Sequence, residues 1–252
     1  MKIMMKNKLK AVVLAAGKGT RLQTETTDVP KVMREVCGRP LLSFVTDALS
    51  FVEKEDIILV VGYKKEEVMR GFPGYRFAFQ EQQLGTGHAV MAAADELKGF
   101  EGAVLVCYGD MPVIKRSTYE ALVETHFEQN NDCTILTAQS EDTMQFGRII
   151  RDENGDFAEV VEDRDCTPEQ KAITELNSGV YVFCAQLLLE TLKEIKNNND
   201  QNEYYLTDAP AIMRGRGAKI GLLKRNLGDE IIGVNNLEQL KQVEEILSEK
   251  QK

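Results

Sequence analysis

The chain has 252 residues, of which 43% are hydrophobic and 28% charged, a composition typical of globular proteins. Its formal net charge of −9 argues against a general nucleic-acid-binding protein. Its apolar runs fall short of the roughly 18 residues that a membrane span requires. The first such run covers only Ala11 to Ala16, too short for the core of a secretion signal. We therefore expect neither nucleic acid nor a membrane among its partners.

Cysteine and histidine are too scattered to predict a metal site. Five cysteines are present, none of them in a C-x-x-C pair, and most have apolar neighbours. This pattern is typical of reduced thiols in a cytoplasmic protein rather than of a disulfide framework or a zinc site. Because His88 and His126 are the only histidines, a histidine-based metal cluster is not available.

Positive charge is concentrated at the start of the chain. Residues 1–39 carry nine Lys or Arg and three Asp or Glu, a local charge of +6 against −15 for the remainder. Such a segment can focus a small polyanion. We assign this role to Lys18, Arg21 and Lys31, and interpret the earlier lysines as a solvated tail: Lys2, Lys6, Lys8 and Lys10.

The first half of the chain alternates short apolar strands with helical patterns. Strands are predicted at KAVVLAA, DIILVVG, GYRFAFQ and GAVLVCYGD, and helices at RPLLSFVTDALSFV, KKEEVMRGF, GTGHAVMAAADELK and RSTYEALVETHFEQ. The strands lack strict alternation of apolar and polar residues, which indicates burial on both faces of a mostly parallel sheet. Alternating strands and helices predict a layered α/β fold.

The second half is richer in strands. Strand-like segments at DCTILTAQ, FGRIIRD, DFAEVVE and LNSGVYVFCA predict mixed or antiparallel additions that cover a substrate. The chain ends in a predicted amphipathic helix, NLEQLKQVEEILSEKQK. No repeat or proline-rich linker divides the sequence. We expect one catalytic domain over residues 1–235, with residues 236–252 forming a helix that is part of it or appended to it.

The segment from Val12 to Lys31, VVLAAGKGTRLQTETTDVPK, is an apolar strand followed by a glycine-rich turn. The dinucleotide fingerprint G-x-G-x-x-G fails because Leu22 stands at the third glycine position. The P-loop pattern also fails, because it would require a glycine at Val12. A third mechanism fits, in which Gly17 and Gly19 let backbone amides approach phosphate oxygens.

Two cations accompany this turn. Arg21 can clamp a phosphate in a bidentate manner, and Lys31 can act as a point charge. The segment therefore predicts a loop that wraps a nucleoside triphosphate.

This pattern resembles the nucleotidyltransferases that join a sugar 1-phosphate to a nucleoside triphosphate. Within them it is most similar to the uridylyltransferase half of a bacterial bifunctional family that makes UDP-N-acetylglucosamine. The resemblance covers about residues 9–245. It rests on ten motifs in order: LAAGKGTRL, PKVM, CGRPLL, QLGTGHAV, YGDMP, FGRI, VVEDRD, LNSGVYVF, NEYYLTD and GVNN.

The resemblance implies a three-layer, Rossmann-like nucleotidyltransferase fold of the GT-A-like type. It implies transfer of a uridylyl group from UTP to N-acetylglucosamine 1-phosphate, with Mg²⁺ as cofactor and pyrophosphate as leaving group. Catalysis would be mainly positioning and charge neutralisation by Arg21, Lys31 and Asp110. Asp110 and Asn235 would hold the metal, and Asp110 ends a strand, where open α/β sheets bind ligands.

The resemblance also implies two groups of binding residues. Those facing the nucleotide are Leu14, Ala15, Ala16, Gly17, Lys18, Gly19, Gln80, Gln83, Gly85 and Thr86. Those facing the sugar are Tyr108, Gly147, Glu162 and Asn177.

Five of these residues also have purely structural interpretations. Thr86 would be the N-cap of a helix, Asp110 a helix or turn cap, and Asn235 the cap of the last helix. Gly147 would be a turn glycine, and Glu162 a solvated charge among EDRD. His88 is interpreted as a packed helix residue rather than as a catalytic base.

The sequence departs from the close relatives in three places. It stops at Lys252 without the hexapeptide repeats of an acetyltransferase domain, so we expect no such domain and leave the oligomeric state and a separate acetyltransferase partner open. The ten-step spacing from Arg21 to Lys31 is longer than usual, which leaves another sugar phosphate or another base as alternatives. Arg164 replaces the usual lysine. A non-catalytic regulatory module is a further alternative, although it would be expected to lose Arg21, Lys31 or Asp110.

Overall fold

The computed structural model describes residues 8–22, 28–141 and 146–249. The predicted loop segment 23–27, the tail residues Lys2 and Lys6, and residues 250–252 of the predicted last helix lie outside the described residues. In the part that is described, no helix is long and apolar enough to cross a membrane.

The fold is built on a nine-stranded mixed sheet. The strands of the described chain are Leu9–Leu14 (β1), Glu35–Val36 (β2), Arg39–Pro40 (β3), Ile57–Val61 (β4), Arg76–Phe79 (β5), Ala103–Tyr108 (β6), Cys133–Gln139 (β7), Arg148–Arg151 (β8), Phe157–Val161 (β9), Glu175–Cys184 (β10) and Ile220–Arg225 (β11). The order in the large sheet is β11-β7-β10-β6-β1-β4-β5, and β8 and β9 are joined to it through β10. Strands β2 and β3 form a separate small hairpin.

Helices cover the sheet. Those of the described chain are Leu41–Ala48 (α1), Lys65–Gly71 (α2), Thr86–Ala92 (α3), Ala94–Leu97 (α4), Arg116–Glu128 (α5), Pro168–Lys171 (α6), Ala185–Thr191 (α7), Ala209–Gly215 (α8) and Leu237–Glu249 (α9). Because successive side chains of a strand point to opposite faces, β1 contributes Val13 to one buried cluster and Val12 to another. The three-layer α/β fold predicted from the sequence is confirmed.

The direction of the strands agrees with the predicted change between the two halves. Strands β1, β4, β5 and β6 are parallel neighbours. Strand β10 is antiparallel to β6, β7 and β8, and β8 is antiparallel to β9. The carboxyl ends of β1, β4, β5 and β6 therefore meet the amino end of β10 at one edge of the sheet.

The last helix packs against the amino-terminal half of the chain. Val243 and Leu247 of α9 join a third buried cluster with Val36 of the small hairpin and Leu41 of α1. Residues 237–249 are thus packed onto the body that holds the sheet. The domain boundary at residue 235 stays a prediction.

Two predicted helices are wrong in their extent. The segment RPLLSFVTDALSFV is helical only over Leu41–Ala48 (α1), and its first two residues form β3. The segment GTGHAVMAAADELK forms two helices, α3 and α4, rather than one. The amide of Ala93 donates to the carbonyl of Val90, three residues back, at 3.0 Å. This tighter turn ends α3 before α4 begins.

Candidate active site

The candidate site lies at the sheet edge where the parallel strands end. The last residue of β1, Leu14, pairs with the last residue of β6, Tyr108. The Leu14 carbonyl then accepts from the Gly109 amide at 2.9 Å, and the Ala15 amide donates to Val60 at 2.8 Å. Main-chain bonds therefore hold the glycine-rich turn and the segment that carries Asp110 side by side.

Three predicted residues from distant parts of the sequence meet at this edge. The Lys31 ammonium forms an ion pair with Asp110 and donates to Asn235 Oδ1 at 2.6 Å. The side chains of Lys31 and Asp110 are only 15% and 17% exposed, so solvent screens their interaction weakly. We call Lys31, Asp110 and Asn235 the Lys31 triad.

The first turn of α9 positions Asn235. The Asn235 amide donates to Gln239 Oε1 at 2.8 Å, and the neighbouring Val234 amide donates to the Asp110 carbonyl at 2.9 Å. The helix-capping role that the sequence suggested for Asn235 belongs instead to Asn236, whose side chain accepts from the Gln239 amide at 2.9 Å. The side chain of Asn235 is thereby directed to Lys31.

The glycine-rich turn packs against the same lysine. Gly19 has φ +65°, and a Cβ at this position would lie 2.8 Å from Lys31 Cβ. A larger residue would push Lys31 away from Asp110.

Gly17 has open space around it. Of the remaining predicted nucleotide-binding residues in this turn, the structure buries Leu14, Ala15 and Ala16 and exposes Lys18. Arg21 is also exposed.

Gln80, Gln83, Gly85 and Thr86 form a second part of the edge, after β5. The buried Gln80 amide nitrogen donates to the Gly85 carbonyl and to His88 Nδ1, each at 3.1 Å. Both N–H groups of this amide are therefore used inside the protein, and Oε1 is the acceptor that Gln80 presents. His88 acts as a partner of Gln80, in agreement with its predicted packed position.

Two glycines allow a close backbone approach to the segment around Tyr204. The Gly87 amide donates to the Tyr204 carbonyl at 2.7 Å, where a Cβ on Gly87 would be only 2.9 Å from that oxygen. Gly85, at φ +106°, would have its Cβ 2.6 Å from the same carbonyl. Thr86 is not the N-cap of α3, because the preceding Gly85 occupies that position. Its hydroxyl instead accepts from the Leu206 amide at 3.0 Å.

Tyr108 and Asn177 lie together because β10 contains a bulge. Its register against β7 shifts between Asn177 and Tyr181. The bulge places Gly179, at φ +79°, against the Tyr108 ring. Asn177 donates to the Tyr181 hydroxyl at 2.7 Å. The bulge thus brings the backbone that follows Asn177 against the end of β6, where Tyr108 lies.

Gly147 and Glu162, the other two predicted sugar-binding residues, flank the paired residues Arg148 and Val161 of β8 and β9. The Gly147 carbonyl accepts from the Asn177 amide at 2.8 Å, and Glu162 follows the last residue of β9. Glu162 Oε1 accepts from the Thr207 hydroxyl at 3.0 Å. Burial raises the pKa of Glu162 above its ordinary value, and the Thr207 hydrogen bond opposes that shift. Glu162 is therefore a positioned, partly desolvated carboxyl group rather than a solvated charge.

A second carboxyl group, that of Asp208, belongs to the residue that follows Thr207 in the chain. It lines a cavity of about 300 Å³ together with Glu162, Asp165 and Lys196. Burial, followed by the charges of Asp165 and Glu159, raises the pKa of Asp208 from 3.8 to about 6. The ionised form of Asp208 is consequently disfavoured in the folded chain.

This shift predicts a pH-dependent stability. The pKa of Asp208 is higher in the folded chain than in the unfolded chain. The contribution of protonated Asp208 to the free energy of unfolding is therefore fully present below pH 4 and is lost as pH rises through about 6. We expect Asp208→Asn to raise the free energy of unfolding at pH 8 by about 1–2 kcal/mol, after allowance for the half-exposed position. Urea denaturation at pH 4, 6 and 8 measures it. The exposed neighbour Asp200→Asn serves as control, and an equal gain in both variants at pH 8 would contradict the assignment.

The chemistry of the triad suits a hard cation. Asp110 offers a carboxylate oxygen and Asn235 an amide oxygen, and both converge on the one ammonium group of Lys31. Two protein oxygens, with further ligands from phosphate and water, are a normal set for Mg²⁺. Asp110 and Asn235 thus fit the predicted metal role, with the ammonium standing where a cation is favoured.

The fold and this edge place the chain among α/β proteins whose candidate site lies at the carboxyl ends of parallel strands. Comparison with known proteins narrows the class: the family model described as nucleotidyl transferase matches residues 10–220. The chain belongs to the nucleotidyl transferase family, as its motifs predicted.

Two curated relatives show the extent of the likeness. The chain is 44% identical over 241 residues to the bifunctional protein GlmU of Alkaliphilus metalliredigens, a match that covers 95% of this chain and 52% of the relative. It is 45% identical over 239 residues to the bifunctional protein GlmU of Clostridium novyi, covering 94% and 52%. The chain therefore spans about half the length of the curated relatives it matches.

A solved structure shares the fold. It comes from Bacillus anthracis and is described as a candidate glucose-1-phosphate thymidylyltransferase in complex with sucrose. The TM-score is 0.72, and the match covers 95% of each chain at 19% identity. At this identity the likeness establishes the fold alone.

Several residues that shape the site were not singled out in the sequence. Gly62 directly follows β4, and a Cβ there would lie 2.7 Å from the Gln80 carbonyl and 2.9 Å from Gln83 Nε2. Gly179 lies against the Tyr108 ring, and Gln239 accepts from the Asn235 amide. A glycine directly after an apolar strand is the one signal that pointed to Gly62.

Proposed function

We propose that this protein transfers a uridylyl group from UTP to N-acetylglucosamine 1-phosphate and releases pyrophosphate. The observation that carries the proposal is the Lys31 triad at the carboxyl edge of the parallel strands. Membership of the nucleotidyl transferase family supports the reaction type. The sequence likeness to bifunctional GlmU proteins supports the choice of substrates.

The cationic and glycine residues of this edge would bind the phosphate groups of the two substrates. In the reaction, an oxygen of the sugar phosphate attacks the α-phosphorus of the nucleotide in line with the leaving pyrophosphate. Two polyanions must meet, so charge neutralisation and positioning supply most of the catalysis. Gly17 and Gly19 would let main-chain amides approach the triphosphate, and Arg21 and Lys31 would bind phosphate oxygens.

A divalent metal is part of this proposal, with Mg²⁺ as the ion. Asp110 and Asn235 would hold it. When bound, Mg²⁺ would neutralise phosphate charge and favour attack at phosphorus. Lys31 would exchange its contacts with Asp110 and Asn235 for contacts with the phosphates.

The Gln80 amide supports uracil as the base. Its N–H groups are bound to Gly85 and His88, so its Oε1 is the group available to a ligand. An acceptor matches the N3–H of uracil and opposes the N3 acceptor of cytosine. Gln83, Gly85 and Thr86 would surround the same base.

The other half of the edge supports a sugar with several hydroxyl groups. The Glu162 carboxyl would accept hydrogen bonds from hydroxyls, and Asn177 would contribute an amide. Gly147 would let the backbone approach the acetamido group, and Tyr108 would pack along the ring. We also propose a cytoplasmic location, where both substrates are expected.

A pyrophosphate-release screen tests the proposal. Four nucleoside triphosphates are combined with several sugar 1-phosphates, each with Mg²⁺ or with EDTA. We expect release with UTP and N-acetylglucosamine 1-phosphate, and loss of release in EDTA. Release only with another nucleotide would overturn the uridylyl assignment. The screen includes other nucleotides because the long Arg21–Lys31 spacing leaves another base as an alternative. No release with any pair would favour the non-catalytic regulatory module.

A further inference from the structure

Tyr63 joins two parts of the phosphate-binding segment that the sequence separates. It follows β4, at the same sheet edge as the Lys31 triad. Its hydroxyl donates to the Asp28 carboxylate, and its ring faces the Lys18 ammonium, which lies 5.3 Å from the ring centroid. Lys18 belongs to the glycine-rich turn, whereas Asp28 lies three residues before Lys31. One aromatic residue therefore contacts both the turn and the segment that carries Lys31.

A second side chain secures the Asp28 end of this contact. Lys64 forms an ion pair with Asp28 at 2.9 Å and donates to the Asp28 carbonyl. The hydrogen bond from Tyr63, followed by Lys64, lowers the pKa of Asp28, so the carboxylate is ionised at neutral pH. Lys64 has φ +46°, a backbone conformation that non-glycine residues adopt rarely and that neighbouring contacts must stabilise.

The link from Asp28 to Lys31 is short and stiff. Only Val29 and Pro30 lie between them, and the proline ring fixes one backbone angle. A displacement of Asp28 must therefore reach Lys31. On the other side, the ring of Tyr63 offers its negative face to Lys18, which favours one position of that ammonium group.

We propose that Tyr63 is a positioning residue for the triphosphate, holding Lys18 through its ring and Lys31 through its hydrogen bond to Asp28. The proposal rests on the proposed function, since it deepens the role of the same phosphate-binding segment. Tyr63 acts through these partners and need not touch the nucleotide. Its effect should fall on the β- and γ-phosphates, which the two lysines reach, rather than on the base.

The test is direct binding of UTP and UMP by isothermal titration calorimetry, in Mg²⁺ and without sugar phosphate. Tyr63→Phe keeps the ring and removes the hydroxyl. We expect the Kd for UTP to rise about 5- to 10-fold, the scale of one lost hydrogen bond, and the Kd for UMP to change less than about twofold. In turnover, KM for UTP should rise while KM for the sugar phosphate stays nearly constant.

A matched control and a second variant keep the test specific. Tyr75 is also half-buried under a lysine, with the Lys54 ammonium 4.7 Å from its ring centroid, but it precedes β5 at the opposite edge of the sheet. Tyr75→Phe should leave both affinities unchanged. Asp28→Ala should weaken UTP binding at least as much as Tyr63→Phe, and the double variant should be no weaker than Asp28→Ala alone, because the two residues act through one contact.

Two results would overturn the proposal: UTP affinity of Tyr63→Phe within twofold of the unmodified chain, or equal losses for UTP and UMP. Melting temperatures of all variants show whether a loss of binding reflects unfolding. The binding measurement needs no turnover. An unmodified chain that binds UTP but releases no pyrophosphate would therefore contradict the proposed function without deciding the role of Tyr63.

Discussion

Asp110→Asn is expected to lower kcat by about 100- to 1,000-fold, the range typical for losing a group that stabilises transition-state charge. The substitution preserves the size of the side chain but removes its negative charge. It would weaken the metal ligand and the ion pair that holds Lys31 at the same time. Pyrophosphate release at saturating UTP and sugar phosphate measures the effect, and a series of Mg²⁺ concentrations should show a raised metal requirement.

The control for this experiment is Asp229→Asn. Asp229 is exposed and lies on the connection that leads from β11 to Asn235. The Asp229→Asn variant should retain turnover within about twofold, and the melting temperatures of both variants show whether a loss of turnover reflects unfolding. A kcat for Asp110→Asn within threefold of the unmodified chain would remove Asp110 from the mechanism.

Gly179→Ala is expected to lower the free energy of unfolding by about 2–5 kcal/mol. The backbone at φ +79° costs an alanine about 1–2 kcal/mol. An added Cβ would also lie 2.2 Å from Tyr108 Cε2, so the ring would have to move, and overpacking of this kind costs about 1–3 kcal/mol. Urea denaturation measures the sum, and a melting temperature lower by about 5–15 °C should accompany it.

Gly155→Ala separates the two causes. Gly155 has nearly the same backbone angle, φ +81°, but nothing lies within 4 Å of the point that an added methyl group would occupy. The free energy of unfolding of Gly155→Ala should fall only by the cost of the backbone angle, about 1–2 kcal/mol. Equal losses at the two positions would show that contact with Tyr108 contributes nothing, and the bulge would then lose its assigned role in placing that ring.

The sequence predicted the layers of the fold and the edge that carries the site. Buried strands without polar alternation indicated a mostly parallel sheet, and such strands present their carboxyl ends on one side. Asp110, two residues after the end of β6, could therefore be placed near the glycine turn after β1 without knowing any contact. The structure brings Lys31 and Asn235 to the same point, and the roles assigned to them stay predictions.

What could not be predicted depends on tertiary register. The bulge in β10 arises from how Asn177 and Tyr181 pair with β7, and local sequence gives only an ordinary apolar strand. The break between α3 and α4 at Ala93 also could not be predicted, because an alanine-rich segment favours one continuous helix. Asn235 and Asn236 have equal capping propensity, and only the Gln239 contacts decide which of them serves the helix.

The hydrogen bond between Lys31 and Asn235 joins residues that are 204 positions apart. Closing so long a loop is entropically costly, and it becomes favourable only when the intervening sheet has already formed. Partly folded chains with an intact β1–β6 core would therefore have the glycine turn and Asp110 but not the complete triad. The complete triad would form late in folding, as a property of the whole chain rather than of its first half.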